Sequence, residues 1–274
     1  MELKRLRKKR YTILGLAFLM FVAFSSSVVF GLYETTNPWL MHRHDLNRSG
    51  NTDSTAPNSN QTLWKHTSTT PTSTPIIVDG KVIFYAGSRV YAIDETTGVK
   101  LWESISFLST PRGVPAFDDG KIYVGSYGGY MYCLNATTGG KLWEYDASPG
   151  RIESSPAVYN GRVYFGTAGT DKYLYAINAS NGLSLSPPWR YSVPSDIYST
   201  PAIDGDLLYF GCDDGRLYAL NISGNLPALK WFVGTKDRVR ATPAVYGGMV
   251  VFGTYYQDHS VLAINKTTGG LIWA

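Results

Sequence analysis

Tryptophan returns along this chain at a nearly constant interval: Trp102, Trp143, Trp189, Trp231 and Trp273 lie 41, 46, 42 and 42 residues apart. A second marker runs in step with it. Pro75, Pro115, Pro156, Pro201 and Pro243, each followed by two apolar residues, are separated by 40, 41, 45 and 42 residues. Two independent markers with one period constrain the fold sharply, because a repeated unit of this length buries its apolar faces only by stacking on copies of itself. A period in this range built wholly of strands specifies a propeller of four-stranded blades.

The strands follow from local pattern. In the third unit "PAVYN" (156–160) gives a first strand, Gly161 a turn, "RVYFGT" (162–167) a second strand and "YLYAIN" (173–178) a third with alternating character. The joint to the fourth strand is the most regular element. It reads "DETTGVKLW" (94–102), "NATTGGKLW" (135–143) and "NKTTGGLIW" (265–273), with looser copies "NASNGLSLSPPW" (178–189) and "NISGNLPALKW" (221–231). Turn chemistry selects Asn or Asp and Thr at this joint, and Gly supplies the positive φ of a tight hairpin. One indole per unit is expected to pack between neighbouring blades. Trp64, in "TLWKH" (62–66), reads as a further fourth strand with no three strands before it. A composition of 44% hydrophobic and only 17% charged residues, with 20 Tyr and 28 Gly, fits strands and turns.

A Gly closing the second strand, then Tyr-Ala-Ile/Leu-Asp/Asn, then Thr-Gly-x-x-x-Trp resembles the PQQ-like (quinoprotein-type) β-propeller repeat, and "YAIDETTGVKLW" (91–102) is a near-ideal copy. The segment "WLMHRHDLNRSGNT" (39–52) resembles the lead-in before the first blade of exported members. The resemblance covers residues 39–274. It implies an all-β propeller with blades at about 67–104, 105–145, 146–191, 192–232 and 233–274. The family's usual seven or eight blades imply that these five belong to a larger ring and that the sequence is a fragment. Functionally the resemblance points two ways. The quinoprotein dehydrogenases hold PQQ and calcium against an adjacent Cys-Cys pair, with a Glu/Asn/Asp calcium set and a catalytic Asp. Here Cys133 and Cys212 stand far apart, and neither set finds a match. The expectation is therefore the non-catalytic, BamB-like branch, a binding or scaffolding module for a protein or peptide partner that needs no cofactor. A dehydrogenase fragment with its active site in further blades is one alternative, and PQQ and calcium enter only there. A sensor or adhesion ectodomain is another.

The N-terminus sets the address. Residues 1–10 carry all six basic residues of the first 33, and residues 11–33 are apolar and uncharged, long enough to cross a bilayer. Positive charge stays cytoplasmic, so a retained signal-anchor places the propeller outside the cytoplasm. A cleaved signal peptide, giving a secreted protein, is the alternative. Residues 34–61 are polar and read as a linker. Beyond residue 33 the charges nearly balance, so the positive total of +4 does not indicate nucleic acid. Six Asn-x-Ser/Thr sequons begin at Asn47, Asn60, Asn135, Asn178, Asn221 and Asn265. They fit an exported domain; turn chemistry alone also accounts for the last four.

Candidate site residues come from the loop before each first strand, which lies on one rim of a propeller. Positions three and five before the marker prolines share a face of extended chain. In blades two to five they gather Arg112, Arg151, Glu153, Asp196, Tyr198, Arg238 and Arg240 around one opening. Such a rim suits an acidic ligand or peptide; inter-blade salt bridges are the alternative reading. His42 and His44 alternate as ligands do but lack a third partner. Asp118-Asp119 and Asp213-Asp214 read as turn residues before glycine. No nucleophile motif or phosphate loop is present.

Overall fold

The computed structural model describes residues 41–42, 45–48, 62–70, 72–256 and 258–274. The expected transmembrane segment and most of the linker lie outside the described residues. The described strands form five antiparallel sheets in chain order, at residues 76–103, 111–146, 150–192, 202–234 and 244–273. In each, four strands pair consecutively in an up-and-down meander. The third sheet also has a short extra strand, Gly150–Ile152, paired with the end of its second strand. The first strands of successive sheets pack against one another from the first sheet to the fifth. This is the propeller arrangement, with the first strand innermost.

Two local devices explain the markers. Hydroxyl residues just before the marker prolines of blades three and four tie these blades to their neighbours. Val114 N–H donates to Ser155 Oγ (2.8 Å), Ser155 N–H to Thr200 Oγ1 (3.3 Å), and Ser199 Oγ donates to Ala241 O (3.0 Å). The tryptophan acts at the periphery. Trp102 Nε1 donates to Ala136 O in the turn of the next blade (3.0 Å), and its ring lies where a side chain on Gly139 would stand. Trp143 repeats this with Ala179 O (3.2 Å) and Gly182, and Trp231 with Lys266 O (3.2 Å) and Gly269. The glycine of the turn is thus required from outside, as a seat for the neighbour's indole.

Three tryptophans depart from the simple pattern. Residues 62–66 form no strand, yet Trp64 takes the same seat on blade one, over Gly98 with Nε1 donating to Glu95 O (2.8 Å). Trp189 is buried, but its Nε1 has no hydrogen-bond partner among the described residues. The facing turn in blade four reads Asn221-Ile-Ser-Gly-Asn225, so the glycine has moved by one position and the seat is lost. Trp273, expected between blades, has no seat among the described residues and is 45% exposed.

Part of the stretch read as a linker is packed structure. Leu46 O accepts from Ile203 N–H and Asn47 O from Val245 N–H, both at 2.8 Å, so the segment lies along the inner edges of blades four and five. Arg48 is 1% exposed; its Nε and Nη2 donate to Pro201 O (3.0 and 2.8 Å) and its Nη1 to His42 O (2.8 Å). Composition cannot show this, because among the described residues of this segment only Met41 and Leu46 add apolar packing, on the cores between blades two and four.

Candidate functional site

The rim is shaped by the residue between each pair of candidate positions. Ile152, Ile197 and Val239 point inward and pack on Gly125, Gly166 and Gly211, the glycines closing the second strand of the preceding blade; a Cβ on any of these would collide with them. Because neighbours on extended chain alternate, the flanking residues turn outward. Glu153 and Arg151 flank Ile152, Tyr198 and Asp196 flank Ile197, and Arg240 and Arg238 flank Val239. Arg112 is fixed by pairing with Gly125 in its own blade, and Arg151 by pairing with Ala168.

All seven candidates join one continuous row across blades two to five. Arg112 and Arg151 lie over the ring of Tyr127, their guanidinium carbons 5.4 and 5.0 Å from its centroid. Arg151 donates to Tyr127 Oη (2.8 Å) and to Tyr198 Oη (3.4 Å), and its Nε lies 3.6 Å from Glu153. Tyr198 Oη donates to Asp196 Oδ2 (3.2 Å), whose other oxygen accepts from Gly169 N–H (3.0 Å). Arg240 sits between the rings of Tyr198 and Tyr255, at 4.2 and 4.9 Å, and donates two hydrogen bonds to Asp213 (2.8 and 2.5 Å). Arg238 reaches the same carboxylate at 3.9 Å. The row therefore reads Arg112, Tyr127, Arg151, Tyr198, Arg240, Tyr255.

Sequence reasoning missed Tyr127, Tyr255 and Asp213. The two tyrosines come from the turns after the second strands of blades two and five, which antiparallel order returns to this same rim. Asp213, read as a turn residue, is an inter-blade anion with a side chain only 8% exposed. The acid and base chemistry is that of fixed charge. Burial first, then the nearby Asp196 and Glu153 carboxylates, raise the Tyr198 hydroxyl above its ordinary range. It therefore stays protonated as a donor. Asp213 holds Arg240 more firmly protonated, and the Tyr127 hydroxyl does the same for Arg151. Among the described residues no group of three or more His, Cys, Asp or Glu is placed to hold a metal ion.

Charge is unevenly satisfied along the row. Arg151 and Arg240 are neutralised by Glu153 and Asp213. Arg112 has no carboxylate partner among the described residues, and Arg238 shares one that is already doubly engaged. The two ends of the row are its least neutralised cations, and Tyr127 and Tyr255 beside them are 43% and 48% exposed.

The family described as outer membrane protein assembly factor BamB matches residues 86–227 and 189–274. Among curated proteins, quinoprotein ethanol dehydrogenase of Pseudomonas aeruginosa is 30% identical over 111 residues, covering 36% of this chain and 18% of that protein. Among solved structures, BamB from Moraxella catarrhalis superposes with a TM-score of 0.60 at 19% identity, over 71% of this chain and 60% of that one. The quinohemoprotein alcohol dehydrogenase of Comamonas testosteroni gives 0.69 at 19% identity, over 86% and 48%. The chain thus spans well under two thirds of each relative, and the distant structural likenesses speak for the fold.

Proposed function

Since the chain belongs to the PQQ-like propeller family of the outer membrane protein assembly factor BamB, we propose that it is a non-catalytic binding and scaffolding module, carried outside the cytoplasm by residues 11–33 as a membrane anchor. Its partner is a protein that presents an acidic segment to the Arg–Tyr rim. One observation carries this reading: Arg151 and Arg240 are held by their own carboxylates, while at the ends of the row Arg112 has none among the described residues and Arg238 has only a 3.9 Å contact to the carboxylate that Arg240 already holds. Exposed tyrosine beside arginine is the composition that protein interfaces favour. Each charge-assisted contact contributes about 1.5–3 kcal/mol when formed in a partly desolvated interface.

The test is anisotropy of labelled poly-glutamate and poly-lysine peptides with the full chain, over a salt series. The reading expects poly-glutamate to bind and weaken with salt, and an Arg112→Ser/Arg238→Ser double variant to lose about tenfold or more, equivalent to about 1.4 kcal/mol. Equal binding of both peptides, or no loss in the variant, would refute it.

A second reading, a quinoprotein dehydrogenase, is favoured by the local likeness over 111 residues. The described residues do not fit its PQQ and calcium. The two cysteines are separate and buried, no cluster that could hold a metal ion occurs among the described residues, and residues 46–48 line the inner edges of blades four and five. Dye reduction by the full chain supplied with PQQ and calcium would reinstate it.

A further inference from the structure

The turns between third and fourth strands lie on the rim opposite the Arg–Tyr row, because successive strands are antiparallel. In blades two to five each opens on an asparagine, with a hydroxyl residue two positions on: Asn135 and Thr137, Asn178 and Ser180, Asn221 and Ser223, Asn265 and Thr267. The geometry is the same four times. The side-chain Oδ1 accepts the N–H of the hydroxyl residue, at 2.9, 2.8, 2.9 and 2.9 Å in the four turns. That bond turns Oδ1 into the turn, and among the described residues Nδ2 has no hydrogen-bond partner at any of the four. Thr137, Ser180, Ser223 and Thr267 are all exposed.

Turn chemistry does not require the amide. In blade one Asp94 fills the position and accepts from Thr96 N–H (3.1 Å) and Thr97 N–H (2.7 Å). A carboxylate oxygen serves the turn as well as an amide oxygen. What an asparagine adds, on a half-buried turn residue, is an amide nitrogen without a hydrogen-bond partner among the described residues, in an Asn-x-Ser/Thr context.

We propose that Asn135, Asn178, Asn221 and Asn265 are acceptors for N-linked oligosaccharide, forming a row of carbohydrate on the rim that leaves the Arg–Tyr face clear. The donor class is a lipid-phosphate-linked oligosaccharide, and a transferase is needed. In the transfer an N–H bond of Nδ2 and the anomeric C–O bond to phosphate break, an N-glycosidic C–N bond forms, the lipid phosphate leaves, and the proton passes to the transferase base. Asn47 is a built-in contrast. Its carbonyl is bonded to Val245 and its neighbour Arg48 is buried, so a glycan there would prevent docking of the segment, and it stays unmodified. The proposal rests on the extracytoplasmic placement proposed above.

The test is peptide mass spectrometry of the full chain purified from its native host, with external protease applied to intact cells in parallel. The expected result is a glycan mass increment on the four turn asparagines and none on Asn47. Thr137→Ala should abolish the increment at Asn135 alone, since the bond at Oδ1 comes from the backbone of residue 137. Unmodified peptides at all four positions in a protease-accessible chain overturn the proposal while sparing the export reading. A chain that stays protease-protected once any outer envelope is permeabilised, with the cytoplasmic membrane intact, overturns both.

Discussion

Replacing Gly139 by alanine tests the indole seat, and Gly120 supplies the control. Both residues adopt a left-handed backbone, with φ of 72° and 71°. An alanine at either pays about 1–2 kcal/mol for that conformation. They differ in what the new methyl meets. At Gly120 nothing lies within 4 Å, whereas at Gly139 a Cβ would stand 2.5 Å from Trp102 Cε3 and 2.8 Å from Cδ2. The Trp102 ring is 9% exposed and anchored by the bond to Ala136 O, so it has nowhere to yield. Overpacking adds about 1–3 kcal/mol, and losing the indole hydrogen bond adds about 1 kcal/mol. Gly139→Ala should therefore cost about 2–4 kcal/mol more than Gly120→Ala. For a chain of this size that is a further fall in Tm of about 10 °C. Urea denaturation of the two variants beside wild type, followed by far-UV circular dichroism, gives the difference directly from the midpoints at constant slope. Equal midpoints for the two variants would show that the glycine answers only to its own backbone, and the inter-blade role of the tryptophan would be wrong.

Arg48→Met removes three donors from two carbonyls in a site that is 1% exposed; it should lower stability by about 2–4 kcal/mol, and a urea midpoint that does not move would mean residues 46–48 contribute nothing to the fold. Trp189→Phe should cost less than Trp102→Phe, because only the latter gives up an indole hydrogen bond; the two melting curves decide it. Asp213→Asn should strengthen poly-glutamate binding several-fold while destabilising the chain, since it releases Arg238 and Arg240 together; unchanged affinity would remove charge from the account of the rim. Burial pushes the thiols of Cys133 and Cys212 up to about 12, whereas unfolded thiols ionise at about 8.5. Above that value the unfolded chain holds fewer protons than the folded one, so stability that is complete below about pH 8.5 is lost as pH rises towards 12. Both thiols should resist an aromatic disulfide reagent until urea unfolds the chain, and rapid labelling of the native protein would contradict their burial.

What the sequence determined by itself was everything whose cause lies within a few residues. Strand alternation, the Asn/Asp turn and the left-handed glycine are local, so five copies of one pattern carried the four-stranded blade and its repetition. The rim candidates were legible for the same reason: alternation about an inward residue fixes which side chains turn out. The tertiary structure decided what depends on pairing across the repeat. Asp213 looks like any turn aspartate until Arg240, 27 residues on, closes on it with two bonds. Tyr127 joins the row only because the second strand of blade two returns to the rim where Arg151 of blade three stands. The seating of Trp64, the unsatisfied nitrogen of Trp189 and the exposure of Trp273 all depend on the facing turn, which the tryptophan's own neighbourhood does not contain. Residues 46–48 carry no periodicity at all. They dock because blades four and five leave backbone N–H groups on their inner edges, and a buried donor must find an acceptor wherever the chain can bring one.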